Sequence, residues 1–184
     1  MSVLDIRVLG DPILREETKP VTEITDELRT LARNMFDTMY VAKGIGLAAP
    51  QVGRTECMAV VDVEDNPIVI VNPEIVITEG SAKAEEGCLS IPEIFGDVER
   101  PARVTIRALD RDGERFELQA TELLARCLQH EIDHLHGKLF IDYLSFLKRR
   151  SALAKWESMR KDFPQNIRKF PPDEIAGRHG EEAL

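Results

Sequence analysis

The stretch His130-Glu131-Ile132-Asp133-His134 constrains the fold of this chain more than any other part of its sequence. On an α-helix, residues four apart lie on the same face, one above the other. Two imidazoles at that spacing can bind one divalent metal ion, and the glutamate between them can act on metal-bound water. The motif therefore predicts a helix that carries part of a metal site. Several unrelated metal hydrolases share it, so the third ligand must decide among them.

Length, charge and cysteine content limit the possible settings. The chain has 184 residues, 43% of them hydrophobic, which is enough for one buried core and short for two. No signal peptide is visible, and no apolar run approaches the ~20 residues that span a bilayer. We therefore expect a cytoplasmic protein without a membrane partner. The net charge of −9 argues against a general nucleic-acid binder, and we expect no DNA partner. An odd count of cysteines (Cys57, Cys88 and Cys127) favours reduced thiols and metal binding over disulfides.

The pattern of apolar and turn-forming residues predicts an α+β fold. Apolar residues at helical spacing predict three helices, the first with Thr25 as its N-cap, over about residues 25–42, 121–136 and 145–160. Between the helices, β-like apolar runs predict strands over residues 58–63, 68–71, 75–78, 103–109 and 115–119. The glycine-rich segment 44–53 is expected to be neither an ordinary helix nor a strand.

The order of these elements suggests how they are arranged. We expect mostly antiparallel small sheets around a central metal-binding helix, with an N-terminal and a C-terminal helix. The sequence shows no internal repeat and no linker. Residues 1–170 are therefore expected to form a single catalytic domain, followed by a flexible C-terminal tail over residues 171–184.

Two residues near the motif are poor candidates for the third metal ligand. With ~100° per residue, His136 lies ~240° from His130 and faces away from the metal. Cys127 shares the face of His130, but it lies ~7 Å along the axis from a metal near residue 132. A cysteine side chain plus a ~2.3 Å metal–sulfur bond cannot bridge that distance.

The two best-known families with this motif also fit poorly. One takes a third histidine six residues after the second, where this chain has Phe140. The other takes a downstream glutamate, for which Glu157 is the candidate, in a stretch crowded with lysine and arginine. An N-terminal donor remains, and Cys88 follows Gly87, which would let the backbone come close to a metal. Two histidines, a cysteine and water would leave a position open for chemistry.

Three segments of the chain resemble the three signature motifs of the peptide deformylase family. They occur in the family's order and at ordinary spacings, and the resemblance extends from the N-terminus to about residue 160. The segments are Gly44-Ile45-Gly46-Leu47-Ala48-Ala49-Pro50-Gln51, Glu86-Gly87-Cys88-Leu89-Ser90, and Gln129-His130-Glu131-Ile132-Asp133-His134-Leu135-His136-Gly137. One motif alone is only suggestive, but three together are very specific.

The resemblance implies removal of the formyl group from N-formylmethionyl peptides, with release of formate. By the resemblance, Cys88, His130 and His134 bind the metal, natively Fe²⁺ in this family, although Zn²⁺, Ni²⁺ or Co²⁺ can substitute. Glu131 would take the proton of the attacking water and later give it to the leaving amine. The oxyanion would be stabilised by two donors, the Gln51 side-chain amide and the Leu89 backbone N–H.

The resemblance also implies how substrate and ligands are held. Ile45 and Gly46 match positions that line a groove where the peptide pairs as an added strand. Asp133 would pair with Arg100 and orient the metal-binding helix. The pocket for the methionine side chain would lie near Glu86, Arg126, Cys127 and His130. The chain departs from the family pattern at Phe95, where some bacterial members carry an arginine that contacts the substrate.

Three alternatives stay open at the level of sequence. The first is another metallopeptidase with the same helix motif. The second is an inactive relative that only binds ribosomal or formylated partners, against which intact Glu131 and Gln51 argue. The third concerns the basic residues of segment 148–169, which are either a solvated helix face or a contact with the ribosome.

Overall fold

A computed structural model describes residues 2–171, 174 and 175 of the chain. Its three long helices are α1 (Asp26–Val41), α2 (Glu122–Leu135) and α3 (Phe146–Met159). Each lies within two residues of its predicted bounds. Thr25 caps α1 as predicted, because its side chain accepts a hydrogen bond of 3.2 Å from the backbone N–H of Leu28. The tail expected over 171–184 lies outside the described residues, apart from positions 171, 174 and 175.

The strands form one larger sheet and two small ones, all antiparallel. In chain order the described strands are β1 (Ile6–Arg7), β2 (Gly46–Ala48), β3 (Met58–Asp62), β4 (Pro67–Glu79), β5 (Ala82–Cys88), β6 (Ile91–Arg100), β7 (Arg103–Leu109), β8 (Arg115–Thr121) and β9 (Ile167–Arg168). The larger sheet has the order β2-β3-β4-β7-β8, while β5 pairs with β6 and β1 with β9. The predicted α+β class is confirmed.

Strand prediction was wrong in three places. The runs 68–71 and 75–78 belong to one strand, β4, which bulges at Asn72-Pro73 between the register pairs of Val71 and Glu74. The segment 44–53 does contain a strand, because β2 takes its backbone partners from β3. The hairpin of β5 and β6 was not predicted, since its strands are rich in charged residues and lack an alternating apolar pattern.

The larger sheet carries one long helix on each face, and this arrangement positions the site. Met58 and Val60 of β3 pack with α1, whereas Ala59 and Val61 of the same strand pack with α2. This alternation follows from the two-residue period of a strand. The helix with the H-E-x-x-H motif therefore lies between the sheet and the β5–β6 hairpin.

The third helix is attached to the periphery. Trp156 is the one buried residue within α3, and it packs in a separate apolar cluster with Val98 of β6 and Phe140. Of the helices in the described residues, none is both long and apolar enough to cross a membrane.

Candidate active site

Three predicted ligand atoms converge between α2 and the end of β5. The Cys88 Sγ lies 3.3 Å from His134 Nε2, which lies 3.2 Å from His130 Nε2. All three ligand atoms lie within 4.8 Å of one another. By contrast, His136 faces away and pairs with Glu17 at the surface. The structure thus brings together the two helix histidines and the strand cysteine.

The donor set fits a divalent metal ion. The His130 Nδ1 lies 3.0 Å from a carboxylate oxygen of Glu86, and a proton on Nδ1 leaves the Nε2 lone pair facing Cys88 and His134. Two imidazole nitrogens and a thiolate are the donors that zinc and iron sites use. The Glu131 Oε2 is also buried and has no hydrogen-bond partner among the described residues. Such an orphaned carboxylate oxygen is expected where water and substrate complete the site.

Glu131 lies in the interior of the protein. Its side chain is only 4% exposed, and burial raises its pKa to about 7. A carboxylate with a pKa near neutrality can both accept and return a proton at physiological pH. Burial also raises the pKa of the Cys127 thiol well above its ordinary value. Cys127 is therefore a neutral packing residue, and its Sγ donates to the carbonyl oxygen of Ile45 at 3.5 Å.

Glu86 is a buried carboxylate that contacts two arginines and His130, whereas the sequence predicted it only as part of the methionine pocket. Its carboxylate accepts bonds from Arg100 Nε at 2.6 Å and Nη2 at 3.0 Å, and from Arg126 Nη1 at 2.7 Å. Burial alone would raise its pKa, but hydrogen bonds from His130 and Arg100 hold it at about 2. Glu86 precedes Cys88 by two residues on β5, but only the packing of the hairpin against α2 brings its carboxylate to His130, so no sequence signal revealed this role.

The network continues from Arg100 to α2. Its Nη1 lies 2.8 Å from Asp133 Oδ2, the pair that the resemblance implies. The same oxygen accepts from the hydroxyl of Tyr143 at 2.8 Å, and the guanidinium of Arg100 lies 4.7 Å from the Tyr143 ring centroid. Tyr143 was not predicted, because only the fold brings it to this pair.

Gln51 is held with its amide N–H group towards Cys88. The side chain is 1% exposed, and its Oε1 accepts from the backbone N–H of Ala48 at 2.8 Å. The Nε2 therefore faces the other way, 3.1 Å from Ser90 Oγ and 3.6 Å from Cys88 Sγ. Leu89 lies next to Cys88 and lines the same cavity.

A cavity of about 550 Å³ opens above these residues. Its lining includes all five predicted substrate residues: Ile45, Gly46, Glu86, Arg126 and Cys127. A Cβ on Gly46 would lie 2.4 Å from Glu131 Oε1, so only glycine lets β2 come this close to α2. Phe95 also lines the cavity, and its ring lies over Gly87.

The fold and the site, with three metal-ligand atoms beside an open cavity, define a metal-dependent hydrolase. Residues 3–150 match the family model of polypeptide deformylases, and the chain belongs to this family. It is 55% identical over 160 residues to the peptide deformylase of Hydrogenovibrio crunogenus, covering 85% of this chain and 95% of the relative.

Solved structures agree with this assignment. The peptide deformylase of Legionella pneumophila has a TM-score of 0.84 and 48% identity, covering 87% of this chain and 96% of that one. The Synechococcus elongatus enzyme in complex with actinonin has a TM-score of 0.80 and 49% identity, covering 83% and 85%. The chain is a metal-dependent hydrolase that removes the formyl group from N-terminal methionine, as the sequence predicted.

Proposed function

We propose that Cys88, His130 and His134 hold one Fe²⁺ ion, and that Zn²⁺, Ni²⁺ or Co²⁺ can replace it. The single observation that carries this proposal is the convergence of three ligand atoms within 4.8 Å beside a buried carboxylate. When bound, such an ion supplies Lewis acidity that polarises the formyl carbonyl and makes water more acidic. We further propose that residues 1–170 act as one catalytic domain in the cytoplasm.

Glu131 moves the proton in the proposed mechanism. Its Oε2, which has no partner among the described residues, accepts a proton from the water that attacks the formyl carbon. The same oxygen then gives that proton to the methionine nitrogen as the carbon–nitrogen bond breaks. The products are formate and a peptide with a free N-terminal amine.

Gln51 and Leu89 stabilise the negative charge that develops on the formyl oxygen. Because Ala48 holds the Gln51 Oε1, the Nε2 is already aimed at the reacting group and needs no reorientation. The backbone N–H of Leu89 supplies the second donor beside Cys88. Removal of one such donor typically lowers kcat by ~10²–10³-fold.

The peptide substrate is proposed to bind as a strand along β2. Among the described strands, β2 has β3 as its one neighbour, so its other edge faces the cavity. The Ile45 carbonyl accepts from Asp62 N–H at 2.8 Å on the β3 side. By the alternation of an antiparallel ladder, the N–H and C=O of Gly46 face the open edge. The methionine side chain then enters the part of the cavity lined by Glu86, Arg126 and Cys127.

Formate release tests the assignment directly. We expect the Fe²⁺-loaded protein to release formate from formyl-Met-Ala-Ser and to leave the unformylated peptide intact. Glu131→Gln should lower kcat by about 10²–10⁴-fold, because the general base is lost while the shape of the site is kept. Absence of formate with the wild-type protein would refute the proposed function.

Metal analysis tests the ligand set separately. Protein prepared without oxygen should hold one iron per chain, and Cys88→Ser should lose it while Cys57→Ser, at a half-buried cysteine outside the site, should keep it. Because a thiolate ligand is open to oxidation, air should inactivate the iron form. Equal iron content in the two variants would contradict Cys88 as a ligand.

We also propose that segment 148–169 contacts the ribosome, but through fewer of its basic residues than the sequence suggested. Lys148 pairs with Asp97 and Arg149 with Asp142, so these two cations already have carboxylate partners within the protein. The exposed cations without a carboxylate within 4.0 Å among the described residues include Arg150, Lys161 and Lys169. Deletion of the segment is a poor test, since it removes the buried Trp156 and β9.

Charge reversal at those positions is the better test. If the contact exists, Arg150→Glu with Lys161→Glu should weaken co-sedimentation with ribosomes. Formate release from a free peptide should stay normal, because neither residue lines the cavity. Unchanged co-sedimentation of the double variant would count against the contact.

A further inference from the structure

The segment that follows α3 returns to the catalytic cavity, although the family match ends at residue 150. Phe163 and Arg168 are part of the cavity lining, together with Lys43, which directly precedes the first signature motif. None of these three belongs to the signature motifs. They form an outer part of the cavity that the mechanism above does not use.

Several contacts fix Arg168 in place. The ring of Phe163 stacks on the buried Trp156, with centroids 5.6 Å apart. The backbone N–H of Val8 donates to the Asn166 carbonyl at 2.9 Å, and β9 pairs with β1 so that Arg168 lies opposite Ile6. The half-buried Arg168 side chain also lies over a ring, with its guanidinium carbon 5.0 Å from the Phe170 centroid.

Lys43 is a second cation in the cavity lining and comes from the turn after α1. It directly precedes Gly44, where an added Cβ would lie 2.7 Å from Leu89 Cδ1. On the Arg168 side, the N–H of Leu9 donates to the Ser90 carbonyl at 2.8 Å. The turn at Leu89 and Ser90, which closes the β5–β6 hairpin, is therefore in contact with the segment next to Lys43 and with the segment that leads into the partner strand of Arg168.

Arg126, a third cation of the cavity lining, differs from Lys43 and Arg168 because a carboxylate neutralises its charge. Arg126 donates to the carbonyls of Ala82 and Val98, near the open end of the hairpin, and pairs with Glu86. For Lys43 and Arg168, by contrast, no carboxylate oxygen of the described residues lies within 4.0 Å. The exposed carboxylates that line the cavity, Glu85 and Glu93, belong to the hairpin wall.

The direction of the substrate strand connects these two charges with the peptide sequence. Gln51 and Gly46 lie at the metal end of the site, and Lys43 precedes Gly46 by three residues, in the turn that ends α1, with a φ of 58°. A peptide with its formyl group at the ligands runs antiparallel to β2. It therefore runs from Gly46 towards the turn that holds Lys43, and its third residue, counting formylmethionine as the first, approaches that turn.

We propose that Lys43 and Arg168 make the enzyme prefer formylated peptides that carry an acidic side chain at the third position. This inference rests on the proposed binding of the peptide along β2. The two positive groups lie at a partly hydrated mouth, where they attract a carboxylate and repel a lysine side chain. They act on binding and do not take part in the chemistry.

The test compares three peptides: formyl-Met-Ala-Asp, formyl-Met-Ala-Asn and formyl-Met-Ala-Lys, each amidated so that the terminal carboxylate adds no charge. At low ionic strength, kcat/KM should be about 3–10-fold higher for the aspartate than for the lysine peptide, since such exposed pairs are weak. The difference should lie in KM and should shrink in about 0.5 M salt, where screening is strong.

Matched variants identify the source of the preference. Lys43→Gln and Arg168→Gln should each lower the aspartate-to-lysine ratio, and the double variant should bring it to about 1. Arg168→Lys should keep the preference, because the positive charge remains. Lys169→Gln is the control, since this exposed neighbour makes the same change in net charge but does not line the cavity.

Several results would overturn the inference. These are a wild-type ratio of 1, an equal loss with Lys169→Gln, or a preference that occurs only when the acid is at the second position. The amidated parent formyl-Met-Ala-Ser separates this failure from a failure of the proposed function. Formate from the parent peptide without any charge preference refutes only the role of Lys43 and Arg168.

Discussion

Helices α2 and α3 both have 14 residues, but they bury very different numbers of side chains. In α2 eight residues are buried, among them the polar Gln129, Glu131 and His134, whereas in α3 only Trp156 is. Helix α2 is enclosed by the larger sheet and the β5–β6 hairpin. Helix α3 lies on the outside of the protein, and two of its cations pair with Asp97 and Asp142.

This difference shows that a buried polar residue is a better indicator of function than an exposed one. Burying a polar group costs free energy unless it is hydrogen-bonded, so each buried polar group in α2 needs a reason. The Gln129 amide donates to the carbonyls of Pro101 and Ala125 at 3.0 Å, which explains it structurally. Glu131 Oε2 and His134 Nδ1 are buried without a partner among the described residues, and both belong to the active site. In α3 the polar residues are solvated, so their identities are far less constrained.

The largest effect on stability is expected at Trp156, the one buried residue of the otherwise exposed helix α3. Trp156→Ala removes a large ring that is 3% exposed and stacks on Phe163, and should lower the free energy of unfolding by about 3–5 kcal/mol. Chemical denaturation measures it. A loss below about 1 kcal/mol would mean that α3 adds little to the stability of the fold.

The same substitution in the two helices sharpens the comparison. Leu128→Ala in α2 removes a fully buried side chain and should cost about 2–5 kcal/mol. Leu153→Ala in α3, at a side chain that is 38% exposed, should cost less than about 1 kcal/mol. Thermal or urea unfolding of both variants gives the difference. Similar losses would contradict the contrast between the helices.

A polar substitution next to α2 should change metal affinity more than stability. Glu86→Gln weakens the partner of His130 and the ion pair with Arg100, and should lower metal affinity by about 10–100-fold. Competition with a chelator measures the affinity. Glu85→Gln, at an exposed neighbour on the same strand, is the control and should bind metal normally.

The smallest effect is expected for the cations of α3. Lys148→Gln breaks an exposed pair with Asp97 and should change the free energy of unfolding by less than about 0.5 kcal/mol. Arg149→Gln should behave similarly, because its pair with Asp142 is also partly exposed. Denaturation curves that overlay the wild type would bear this out, and a loss above about 1 kcal/mol would not.

The sequence predicted what depends on local patterns. The helices were placed well because their apolar spacing and caps, such as Thr25, are local signals. The β5–β6 hairpin was missed because its strands are rich in charged residues and lack the alternating apolar pattern of a strand. The side chains that pair with these charges belong to α2 and α3, which are distant in sequence. Strand β2 was missed because its pairing with β3 is not visible in a glycine-rich segment.

The same distinction applies to the site. The three proposed metal ligands were predicted from helix geometry and from the resemblance of motifs, both of which are visible in the sequence. The bond between Glu86 and His130 requires the hairpin to fold against α2, so spacing alone could not show it. Phe163 and Arg168 reach the cavity only because β9 pairs with β1, more than 150 residues away along the chain.

The close approach of β2 to α2 at Gly46 has a consequence for inhibitor resistance. A ligand that pairs with the backbone N–H and C=O of Gly46 uses groups that every amino acid except proline retains. A side chain at this position could block such a ligand, but its Cβ would also lie 2.4 Å from Glu131 Oε1. Escape by substitution at Gly46 would therefore displace the carboxylate that we propose as the general base, so a variant that no longer binds the inhibitor should also lose activity.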